Sequence, residues 1–118
     1  MPKLPPFDDL VAAFVRGGAS ALGGAAVKAL GEELRSLWAF TRPEPSAPQI
    51  SGLELDDYIQ NKRFAPFVKT QVERWILWTL ANMPHAEASM LLLATATTSN
   101  GNLDVMLRTL AQHFRSRV

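Results

Sequence analysis

Cysteine is absent from the 118 residues, which removes disulfides and thiolate metal sites and makes a reducing cytoplasm the expected compartment. Long apolar runs are missing as well. No stretch reaches the ~18 uncharged apolar residues that a membrane-spanning helix needs. The charge-free run 17–27 is short and small-sided, and "WILWTLANM" at 75–83 is shorter still. An excess of one charge is also lacking: 12 Lys and Arg stand against 11 Asp and Glu, for a net +1. No global field therefore steers the chain toward nucleic acid or an anionic membrane. The N-terminal "MPKLPPFDDL" has a lysine, prolines and two aspartates where a secretory signal would build an apolar run.

Catalytic and metal-ligating constellations are scarce. His85 and His113 have no carboxylate or second histidine three or four positions away, so no motif implies a metal or a cofactor. Glu54, Asp56 and Asp57 read as the solvated face of a short helix. The expectation is a protein that is not an enzyme and carries no cofactor.

What the chain does have is helical punctuation. Length and composition (47% hydrophobic, 19% charged) fit one globular domain. Val11, Val15, Gly18, Leu22, Ala26, Leu30, Leu34 and Leu37 recur at spacings of three and four, predicting helix over about 8–40, either continuous or split at Gly17-Gly18. "TRPEPSAPQI" at 41–50 ends it, because three prolines remove donors and push their predecessors out of helical geometry. Ser51 and Glu54 have the spacing of a capping box. Pro66 opens a helix to about Asn82, and Pro84 one to about Thr98. "SNGN" at 99–102 stops that helix and caps the next, which carries Leu103, Leu107, Leu110 and Phe114 on one stripe.

The expected fold is all-α, a bundle of five to six helices. A Gly/Ala-rich N-terminal helical arm (1–41) packs with the rest or with a partner, and a Pro-rich linker (42–50) joins it to a four-helix part (51–118).

Three functional surfaces follow from these residues. "RGGASALGGAAVKALGEEL" at 16–34 holds five of the seven glycines. Its Gly18–Gly23 spacing matches a phosphate loop, but Gly24 and Ala25 stand where such a loop needs Lys and Ser or Thr. On a helix, residues four apart make a smooth strip that a second backbone can approach. The strip gives up roughly 3–4 kcal/mol of helix propensity, which packing must offset. Gly17, Ala21, Gly24 and Lys28 are its expected contacts, with Trp75 or Trp78 from the densest apolar segment as an aromatic anchor. The functional expectation is a non-enzymatic protein–protein interaction module, an adaptor, assembly subunit or regulatory partner, acting on a protein partner or a second copy. One alternative is a helix-turn-helix nucleic-acid binder over 84–117 using Arg108, Arg115 and Arg117. The other is a helix lying on a membrane surface, which the missing bulky side chains of the arm disfavour.

Overall fold

The computed structural model describes residues 7–17, 22–43 and 46–118. The leader expected over 1–6, Ala21 of the glycine strip and part of the proline linker lie outside them. Among the described residues there are six α-helices, a terminal 3-10 turn and no strand: α1 (Phe7–Gly17), α2 (Gly24–Thr41), α3 (Gly52–Ile59), α4 (Pro66–Ala81), α5 (His85–Thr98) and α6 (Leu103–Phe114), followed by Arg115–Arg117. The all-α bundle is the architecture the helical spacing implies.

Local chemistry sets most boundaries. Asp8 and Asp9 occupy the first turn of α1, where they offset the partial positive charge of the helix N-terminus. The glycine stretch divides two helices. Gly17 closes α1, and Gly23, at φ 86°, occupies the N-cap of α2 in a conformation that side chains avoid. Arg42 ends α2 in the left-handed region, its N–H donating to the Trp38 carbonyl at 2.9 Å. At α3 the capping box is complete: the Glu54 N–H donates to Ser51 Oγ at 3.1 Å, and the Ser51 N–H donates to Glu54 Oε1 at 3.3 Å. Pro66 sits in the first turn of α4. Asn100 and Gly101 both take positive φ, and Asn102 caps α6 by accepting from the Val105 N–H.

The helices share one core. Nine residues of α4 are buried, including Val72, Trp75, Ile76, Leu77 and Leu80. Helices α2, α3, α5 and α6 pack around α4, while α1 lies outside it, against α5 and α2. The radius of gyration, 13.6 Å, equals the ~13.5 Å of a compact fold of this length. The connector after α2 is tied back to α4 by Gln71 and Arg74, which donate to the carbonyls of Gln49 and Arg42 at 3.2 and 3.3 Å.

The hairpin of α1 and α2 places the close approach away from the expected strip. Gly17 and Gly24 belong to different helices, and a Cβ at either would meet nothing within 4 Å. Gly24 and Lys28 are exposed on α2. Of the smooth strip expected through Gly17, Ala21, Gly24 and Lys28, Gly17 lies on α1 and Gly24 and Lys28 on α2, so these three do not share one helix. The crossing point is Gly31, fully inside α2, where a Cβ would stand 2.8 Å from Val15 Cγ2 and 3.2 Å from Val11 Cγ1. A stacked Phe7–Trp38 pair, centroids 4.3 Å apart, and an Arg35–Asp8 ion pair at 3.0 Å close the other end of the hairpin.

Gly31→Leu must force α1 away from α2 and is expected to lower the unfolding free energy by about 1–3 kcal/mol. Gly24→Ala, with open space around it, is expected to stay within about 0.5 kcal/mol of the parent. Urea denaturation followed by circular dichroism measures both, and equal effects would remove Gly31 from its role as the crossing point.

Candidate functional site

Helix α2 carries the surface features that the fold leaves unused. Its inner side buries Val27, Leu30, Gly31 and Leu34. Its outer side is flanked by two grooves that differ in rim charge.

The first groove, about 600 Å³ and open, lies between the later half of α2 and the start of α6. Leu37 and Leu103 are half-buried in it, Phe40 stands 76% exposed at its edge, and Glu32 and Glu33 flank it. Neither glutamate has an ion-pair partner among the described residues. Phe40 is the most exposed large apolar side chain described. Three-four spacing along the sequence did not single it out, because it continues the pattern of Leu30, Leu34 and Leu37 and reads as one more core position.

The second groove, about 290 Å³, runs between α1 and α2 over the Gly31 crossing point. Val11, Ala12 and Val15 form its floor, and Arg16, Lys28 and Arg35 its rim, with Glu32 the one lining carboxylate. Lys28, of the expected interaction residues, is the one placed at this groove.

The aromatic anchors separate. Trp75 is 6% exposed and meets Phe114 edge-on at 6.1 Å between centroids, so it lies in the core and not at the surface. Trp78 is partly exposed on α4.

The arginines of the helix-turn-helix reading also separate, each by local contacts. Arg115 donates to Asp56 from Nε at 2.7 Å and from Nη2 at 3.3 Å, a fork-to-carboxylate pair joining the end of α6 to α3. That bond holds the Asp56 carboxyl below its usual range. Gly52 leaves the space for it, since a Cβ there would stand 2.8 Å from Arg115 Nη2. Arg117 lies over the Phe114 ring at 5.3 Å. Arg108 lines a crevice of about 100 Å³ with Tyr58, Phe64, Lys69 and Asp104. Helix α6 itself packs against α3, α4 and α5. Two of the three arginines are thus committed to side-chain contacts within the fold.

Beside that crevice lies the most unusual ionisable group. Glu73 of α4 has a side chain 6% exposed and accepts from Lys69 Nζ at 3.3 Å. Loss of hydration raises its pKa above the ordinary 4.5, and the lysine only partly offsets this. Burial also raises the Tyr58 phenol, with the charges of Glu73 and Asp104 acting in the same direction. A phenol so held stays protonated and is no base at neutral pH. Among the described residues, no group of three or more His, Asp or Glu side chains is placed to hold a metal ion, and no helix is long and apolar enough to cross a membrane.

A carboxyl raised in the folded state binds its proton more tightly folded than unfolded. Its contribution is therefore most favourable at low pH and falls as pH rises from 4.5 through the higher folded value. Glu73→Gln is expected to flatten that decline, with urea midpoints at about pH 5 and about pH 8 differing less than in the parent; an unchanged difference would show that Glu73 does not set it.

The chain matches no protein family, no curated protein and no solved structure.

Proposed function

We propose that this chain is a non-enzymatic protein–protein interaction module of the cytoplasm, an adaptor or assembly subunit whose contact surface is the outer side of α2. The observation that carries the reading is the Phe40 groove. An aromatic side chain 76% exposed beside Leu37 and Leu103 leaves apolar area in water, and such patches on a folded domain mark contact surfaces. Aromatic anchors at the rim of a groove supply much of the binding energy in helix-in-groove recognition. The surface differs from the glycine strip expected from sequence, and of the strip's described members only Gly24 and Lys28 lie on the same helix as Phe40. Catalysis draws no support from the placement of the ionisable groups: Glu73 is held by Lys69 and Asp56 by Arg115.

A photo-crosslinking amino acid placed at position 40 is expected to yield a discrete protein adduct in cells. The same residue at Gln112, exposed on α6, is expected to yield none. Identical patterns from both positions, or no adduct from position 40, would refute the α2 surface as the contact.

A further inference from the structure

We propose that the crevice between α1 and α2 docks an acidic amphipathic helix of a partner protein. The inference rests on the reading of the chain as an interaction module and adds to it a second surface with the opposite rim charge.

The shape follows from Gly31. With no side chain at the crossing point, α1 and α2 approach closely, and Val11, Ala12 and Val15 form a recessed apolar floor. The volume, about 290 Å³, is at the low end of small-ligand pockets and suits an apolar side chain or two inserted from outside. The charge follows from the rim. Three cations, Arg16, Lys28 and Arg35, face one lining carboxylate, Glu32. Arg35 is held by Asp8 at 3.0 Å. Arg16 and Lys28 are exposed and have no ion-pair partner among the described residues.

An occupant that satisfies both features has apolar side chains on one face and carboxylates beside them, which is the surface of an acidic amphipathic helix. A helix is convex and reaches the recessed floor. A flat anionic bilayer does not reach it, and Glu32 and Asp8 repel its phosphates. Nucleic acid would use the cations but leave the apolar floor in water.

The test uses the full chain and fluorescently labelled synthetic peptides, one a leucine–glutamate amphipathic helix and one its leucine–lysine counterpart, together with phosphatidylglycerol vesicles. The acidic peptide is expected to bind by anisotropy, to lose affinity with added salt and to shift the Gly31 and Val15 amide resonances. Arg16→Glu combined with Lys28→Glu is expected to weaken it by about tenfold or more. Ala12→Phe, which fills the crevice from a partly exposed position, is expected to weaken it while the helical circular dichroism stays unchanged. Equal or tighter binding of the basic peptide, resonance shifts confined to other helices, or vesicle binding without peptide binding would each overturn the proposal. An adduct at position 40 with no acidic-peptide binding would sink this inference alone and leave the Phe40 surface standing.

Discussion

Helix α4 is apolar around most of its circumference, and that constraint organises the molecule. A helix with Val72, Trp75, Ile76, Leu77 and Leu80 all buried needs cover on several sides at once. Helices α2, α3, α5 and α6 provide it. Each of those helices then turns an inner stripe to α4 and has an outer side left over. For α5 the outer side is taken by α1. For α2 it is left partly open, and the Phe40 groove and the α1–α2 crevice both flank this helix.

How much of this could be read in the sequence depends on how far apart the interacting residues are. The Ser51–Glu54 capping box, Pro66 in a first turn and the Asn100-Gly101-Asn102 turn act within four residues, and their residue types declare them. The burial of α4 was legible for a related reason, since a helix apolar on most sides has nowhere else to go. Gly31 was not legible. Its importance comes from where α1 crosses α2, and five glycines of one stretch look alike until that crossing is known. The Arg115–Asp56 pair joins positions 59 apart, with the guanidinium lying close over Gly52, a combination no local pattern reveals. Phe40 and Leu34 share one spacing, yet one is exposed and the other buried.

Overall neutrality also proved a poor guide to the local surface. A net charge of +1 conceals a groove beside α2 lined by three cations and another flanked by Glu32 and Glu33, with Glu32 shared between them. The same chemistry behaves oppositely in different settings. The Asp56 carboxyl, bound by a guanidinium at the surface, is stabilised as the anion, whereas Glu73, nearly removed from water, is pushed toward its protonated form. Both effects arise from packing, so neither follows from counting charges.

The placement of α1 has a consequence for the order in which the chain acquires its structure. This helix leaves the ribosome before the other five, and its neighbours in the fold are α2 and α5. Pairing with α2 can begin early, because the two are consecutive and meet at Gly31. The face that rests on α5 must wait until residues 85–98 have been synthesised. Throughout translation of the three intervening helices, that face has no partner from its own chain. The nascent hairpin therefore leaves uncovered an apolar face of α1 that the finished bundle buries against α5.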